Sequence, residues 1–207
     1  MAENKKRVGI MGGTFNPIHI GHLIIAELAY EAYNLDEVLF VPSGISYMKD
    51  MAEVLDAKKR VHMTGLAIED NPHFALSTIE IDRDGNSYSY ETLETLRKQN
   101  PNTEYYFLVG SDTLFALETW KHPEILLPSC TILVAVRNGV PMDEMKEHAK
   151  YLEEKFGGRI ELLTTPNIEI SSTEIRNKLA QNKDVKYFVP DTVLDFIHKY
   201  NLYVTES

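Results

Sequence analysis

Two histidines three positions apart, His19 and His22, close a stretch that opens on a glycine pair: Gly12-Gly13-Thr14-Phe15-Asn16-Pro17-Ile18-His19-Ile20-Gly21-His22. Glycines let a backbone approach a ligand closely, and free N–H groups at a helix start attract phosphate. Histidines at this spacing share a face if both lie in the first turn of a helix. Two imidazoles beside such a turn suit stabilisation of charge on a transferring phosphoryl group. A plain turn, a surface histidine pair or half a metal site would use the same residues, and spacing alone leaves these open. The stretch is neither a Walker loop nor a dinucleotide fingerprint, because G-x-x-x-x-G-K-[ST] and the glycine spacing of G-x-G-x-x-G are both missing.

Lys49 and Asp112 fall where strands are predicted to end, the edge at which open α/β sheets bind ligands, and further candidates sit at helix starts and beside a short helix. Lys49, in the loop Ser43 to Asp50, could reach a phosphate or be a solvated surface lysine. Asp112, after the apolar run Tyr105 to Gly110, could accept from ribose hydroxyls, or Ser111 or Asp112 could cap a helix. Ser89, ahead of a helix from Glu91 to Lys98, reads as that helix's N-cap, and the hydroxyl and N–H groups there suit a carboxylate. Trp120, the one tryptophan, fits core packing or stacking on a flat ring. Ser171 and Ser172 open a helix with Arg176 in its first turn, either a capped helix with a solvated arginine or an anion site.

These residues need a scaffold, and the pattern of apolar runs supplies one. Arg7 to Met11, Glu37 to Pro42, Phe74 to Ile81, Tyr105 to Gly110, Ser129 to Val136 and Arg159 to Leu163 read as strands. Leu23 to Ala29, Asp56 to Glu69, Glu91 to Lys98, Pro141 to Phe156, Glu174 to Ala180 and Pro190 to Tyr200 read as helices. The alternation predicts a single α/β, Rossmann-like, doubly wound domain over residues 1–207, its sheet mainly parallel with helices on both faces and residues 1–6 a flexible N-terminus.

Composition narrows the function. The chain has 207 residues, 43% apolar and 25% charged, and a formal net charge of −10. That charge argues against a general nucleic-acid binder. Cys130 is the only cysteine, so an internal disulfide and a multi-cysteine zinc site are excluded, and its apolar neighbours suggest an inert buried thiol. With no apolar leader or membrane-spanning run, a cytoplasmic protein away from membranes is expected. A homo-oligomer is left open.

Gly-Gly-Thr-Phe-Asn-Pro with His-Ile-Gly-His resembles the signature of the nucleotidyltransferases that share the HxGH motif. From about Val8 to Tyr203 the chain resembles the bacterial nicotinate-nucleotide adenylyltransferases, and Ile170-Ser171-Ser172-Thr173-Glu174-Ile175-Arg176 is similar to their C-terminal ISSTxIR signature. The resemblance implies adenylyl transfer from ATP to nicotinate mononucleotide, with Mg²⁺ held mainly through ATP phosphates and no dedicated protein metal site. It implies catalytic roles for His19, His22, Lys49 and Arg176. It places ATP on Gly12, Gly13, His19, His22, Gly110, Asp112, Ile170, Ser171, Ser172 and Arg176, and the mononucleotide on Thr14, Phe15, Asn16, Lys49, Tyr88, Ser89 and Trp120. Three other readings remain: an acceptor such as nicotinamide mononucleotide or phosphopantetheine, a noncatalytic nucleotide-binding module, and a metal-dependent hydrolase using the two histidines.

Overall fold

A computed structural model of the chain describes residues 5–45, 54–136 and 141–204. Six strands, β1 (Lys6–Gly13), β2 (Glu37–Pro42), β3 (Phe74–Leu76), β4 (Thr103–Gly110), β5 (Thr131–Val136) and β6 (Arg159–Thr164), form one sheet in the order β3-β2-β1-β4-β5-β6. Every adjacent pair is parallel. The order reverses between β1 and β4, the topological switch point at which doubly wound sheets leave a crevice.

The strands are apolar on both faces because helices cover both. Along β4, Tyr106 and Leu108 enter one core while Tyr105, Phe107 and Val109 enter the other, the two-residue alternation of a pleated strand. The first core is completed by α1 (Ile20–Ala32), α2 (Ala57–Ile68), α7 (Ser172–Ala180) and α8 (Asp191–Lys199). The second is completed by α3 (Ser89–Gln99), α4 (Ser111–Ala116), the single turn α5 (Pro123–Leu126) and α6 (Met142–Phe156). Gly9 of β1 has no side chain because a Cβ there would come within 2.9 Å of Leu35 Cδ1.

Several element boundaries depart from the sequence prediction. β3 stops at Leu76, and Thr78 to Asp82 form a turn in which the Thr78 carbonyl accepts from the N–H groups of Ile81 and Asp82 at 2.8 and 2.9 Å. Among the described residues this edge strand pairs with β2 alone, and the last bond of that ladder runs from the Ser77 N–H to the Phe40 carbonyl at 2.9 Å. Ser89 is the first residue of α3 and Tyr88 takes the cap position, while Gly110 and not Ser111 or Asp112 caps α4. Lys6, assigned to a flexible terminus, pairs with Thr103 and bonds Glu37 at 2.7 Å. The Cys130 thiol is pushed up to about 12 by burial and donates to the Leu126 carbonyl at 3.6 Å.

Candidate active site

The turn between β1 and α1 is shaped by what lies beneath it. Phe15 adopts a left-handed backbone conformation (φ 48°) and buries its ring in the core. A Cβ on Gly13 would sit 2.9 Å from that ring, so the second glycine is a steric requirement. The turn is gripped from behind by side chains of distant elements. Arg60 Nη1 donates to the Thr14 carbonyl at 2.7 Å, and Arg176 Nη1 to the Asn16 carbonyl at 3.0 Å. Asn16 Oδ1 accepts from the Tyr203 hydroxyl at 2.9 Å and from the Leu55 N–H at 3.3 Å. Ser172 Oγ donates to the Pro17 carbonyl at 2.8 Å, so the two sequence motifs pack directly on each other.

His19 is the N-cap residue of α1 and His22 its third helical position. Their rings stack with centroids 3.7 Å apart, and Phe15 meets His22 edge-on at 5.0 Å. Gly21 makes room for this stack, since a Cβ there would lie 3.1 Å from His19 Nδ1. The His19 backbone N–H donates to His22 Nδ1 at 3.2 Å. A neutral His22 ring therefore carries its proton on Nε2, as a donor.

His22 forms part of the wall of a cavity of about 520 Å³ above the switch point. Its lining includes Gly12, Gly13 and Thr14 from the β1 turn and Gly110, Asp112 and Thr113 from the end of β4 and the start of α4. A Cβ on Gly110 would find no heavy atom within 4 Å. Ser89 and Trp120 also line it, with the indole edge-on to Phe107 at 6.2 Å. A cavity of this size, with a mixed polar and apolar lining, suits a nucleotide.

Residues 10–178 match the family model described as cytidylyltransferase-like. The chain belongs to the cytidylyltransferase-like family. A relative from Lachnoclostridium phytofermentans, named "Probable nicotinate-nucleotide adenylyltransferase", is 44% identical over 96% of this chain and 100% of its own. A relative of the same name from Thermoanaerobacter is 41% identical over 97% of this chain and 96% of its own. This chain thus falls among the nicotinate-nucleotide adenylyltransferases. The solved structure of the Plasmodium falciparum nicotinic acid mononucleotide adenylyltransferase complexed with NaAD superposes with a TM-score of 0.79, covering 96% of this chain and 97% of that one. At 24% identity this likeness speaks to the fold.

Of the site residues expected in such an adenylyltransferase, the cavity wall gathers Gly12, Gly13, Thr14, His22, Ser89, Gly110, Asp112 and Trp120. Others stand behind it. His19 is 3% exposed and supports His22 through their stack. The side chains of Phe15 and Asn16 are buried and hold the turn itself, so contact with a ligand there falls to the backbone. Ser172 and Arg176 lie against the β1–α1 turn, Ser171 caps α7 by accepting from the Glu174 N–H at 3.1 Å, and Ile170 packs against the first core. Tyr88 is off the wall, beside Tyr90. Lys49 lies outside the described residues.

Sequence reading gave no role to Ser43 or Glu80, which line the cavity together with Ser87. Glu80 is almost fully buried; Thr92 Oγ1 donates to it at 2.9 Å. Burial holds its carboxyl above the usual carboxylate range, against the opposing pull of the Thr92 hydrogen bond and of Arg83. Placed in a run that reads as strand, Glu80 carries no signal that it turns inward. Arg60 was missed for a similar reason: on the helical pattern of α2 it reads as part of the polar side.

Proposed function

We infer that this chain transfers the adenylyl group of ATP to nicotinate mononucleotide, giving deamido-NAD and pyrophosphate. The observation that carries this reading is the glycine turn and the His22 donor facing one cavity at the β1–β4 switch point. An oxygen of the mononucleotide phosphate attacks the α-phosphorus of ATP in line; a P–O bond forms as the bond to the β-phosphate bridge breaks, and pyrophosphate leaves with that electron pair. A phosphate monoester is already a nucleophile at neutral pH, so the protein supplies position and charge stabilisation. His22 Nε2–H donates to an α-phosphate oxygen as charge builds, with His19 fixing its ring. The N–H groups of Thr14 and Phe15 hold the acceptor phosphate. Lys49 and the donors of Arg176 that are not turned to Asn16 and Thr173 neutralise the triphosphate.

Asp112 accepts from ribose hydroxyls, and the bare face of Gly110 admits the nucleotide. Trp120 stacks on the pyridine ring, and the N-terminus of α3 at Tyr88 and Ser89 faces its carboxylate. Among the described residues no three His, Cys, Asp or Glu side chains cluster as a metal cage. We propose Mg²⁺ as the cofactor, held through ATP phosphates and water, as that ion favours. When bound, the ion neutralises phosphate charge. Among the described residues no helix is long and apolar enough to cross a membrane. We propose that it works in the cytoplasm.

The test is pyrophosphate release from ATP and Mg²⁺ with nicotinate mononucleotide, nicotinamide mononucleotide and phosphopantetheine in parallel. Release with the nicotinate acceptor should exceed the others by about tenfold or more, as expected of a site built around one charged group. Equal release with the amide would make the acceptor wrong while keeping the chemistry. Release with no acceptor would point to a hydrolase, and none at all to a binding module.

A further inference from the structure

Arg60 is the bulkiest of the fully buried side chains, 1% exposed. It belongs to α2, whose other core-facing residues include Met63, Ala67 and Ile68. Its Nε donates to the Leu55 carbonyl at 3.0 Å and its Nη1 to the Thr14 carbonyl at 2.7 Å. Among the described residues it takes part in no ion pair. Asp56, one turn earlier, acts on it only from a distance and uses its own Oδ1 to cap α2 through the Lys58 N–H at 2.9 Å. A buried charge without a close partner is costly, and burial accordingly pulls the guanidinium's proton affinity down.

The atom that Arg60 grips tells where its counter-charge belongs. In a trans peptide the C=O and N–H point in opposite directions. With the Thr14 carbonyl turned to Arg60, the N–H of the same peptide, on Phe15, is aimed away from it, and Thr14 itself lines the cavity. A cation bonded to the carbonyl polarises that N–H and strengthens it as a donor. Arg176 and Tyr203 hold the next residue, Asn16, so the peptide cannot easily rotate to satisfy Arg60 differently.

We propose that Arg60 is a positioning residue for phosphate recognition: its buried charge is complemented by the acceptor's phosphate and acts on it through the Thr14–Phe15 peptide. This rests on the reading that the acceptor phosphate binds at that turn. Arg60 touches no substrate; its effect is specific to the phosphate and not to the rest of the ligand.

The experiment compares affinities by calorimetry for nicotinate mononucleotide and for its riboside, which lacks the phosphate, in the wild type, Arg60→Gln and Arg60→Lys. Gln keeps a donor for the Thr14 carbonyl and loses the charge; Lys keeps the charge and loses the fork. Arg60→Gln should weaken the mononucleotide about tenfold and the riboside less than about twofold, while Arg60→Lys keeps the ratio of the two within about threefold of wild type. Equal weakening of both ligands by Arg60→Gln, the mark of a merely structural role, overturns the proposal, as does an unchanged ratio. If Arg60→Gln does not fold, Arg60→Met, similar in length and without the charge, takes its place: a ratio lowered about tenfold supports the charge, and an unchanged ratio overturns it. A wild type that binds the mononucleotide no better than the riboside removes the acceptor phosphate from the turn, and with it the placement on which the role of Arg60 rests.

Discussion

Replacing His22 tests the central step, and the structure allows its two jobs to be separated. The ring packs on His19 at 3.7 Å and on Phe15 at 5.0 Å, and its Nδ1 takes the His19 N–H at 3.2 Å. Each ring pair contributes about 0.5–1.5 kcal/mol beyond its area, and the hydrogen bond about 1 kcal/mol. His22→Ala should therefore lose about 2–4 kcal/mol of stability, a fall in Tm of roughly 4–16 °C for a chain of this size. His22→Asn keeps an acceptor near Nδ1 and should recover about 1 kcal/mol of that. Neither variant has the Nε2 donor. A preorganised donor to charge that develops in the transition state is worth about 2.7–4 kcal/mol, so both should lose about 10²–10³ in kcat, with KM for either substrate changing by less than about threefold. Initial rates of pyrophosphate release, with thermal melts on the same samples, give both quantities. Turnover by His22→Asn close to wild type would refute the donor role, and a large rise in KM at constant kcat would reassign His22 to ground-state binding.

Two further outcomes follow from the cavity wall. At Gly110 the backbone (φ −79°, ψ 163°) suits any residue and a Cβ meets nothing, so Gly110→Val should cost only about 1 kcal/mol at the α4 cap yet raise KM for ATP about tenfold or more; an unchanged KM would place the nucleotide elsewhere. Because burial raises the Glu80 carboxyl above its ordinary value of 4.5, the folded state holds that proton more tightly than the unfolded chain. Its contribution to stability is then complete below the unfolded value and is lost as pH rises through the folded one. Glu80→Gln, which keeps the acceptor for Thr92, should gain on the wild type in denaturant midpoint between pH 4 and pH 8, and a difference independent of pH would show that the carboxyl is not perturbed.

Much of the scaffold is legible without coordinates, because strands and helices announce themselves through local periodicity. β2 and α8 lie where the apolar runs put them, and α6 ends at the Gly157-Gly158 pair. The edge strand and the caps are misread for a physical reason. A strand's length depends on the neighbours that pair with it, and among the described residues β3 has one. Which residue caps a helix depends on where the chain enters, and α3 is entered at Tyr88, one residue before Ser89.

By itself the sequence determined the chemistry on offer: a glycine turn that backbone sterics allow, two imidazoles one helical turn apart, and a second motif with serines and an arginine at a helix start. All three are local, written in residue types at fixed spacing. Only the tertiary structure decided how they are used. Whether Ser172 and Arg176 face a ligand or brace the first turn depends on the order of strands, and the fold brings them to Pro17 and Asn16 across about 155 residues of chain. The same packing selects His22 over His19 for the cavity wall and brings Arg60, Glu80 and Tyr203 to the site from segments with no motif. Burial and long-range hydrogen bonds, which local spacing does not encode, separate the residues that touch the cavity from those that hold it in shape.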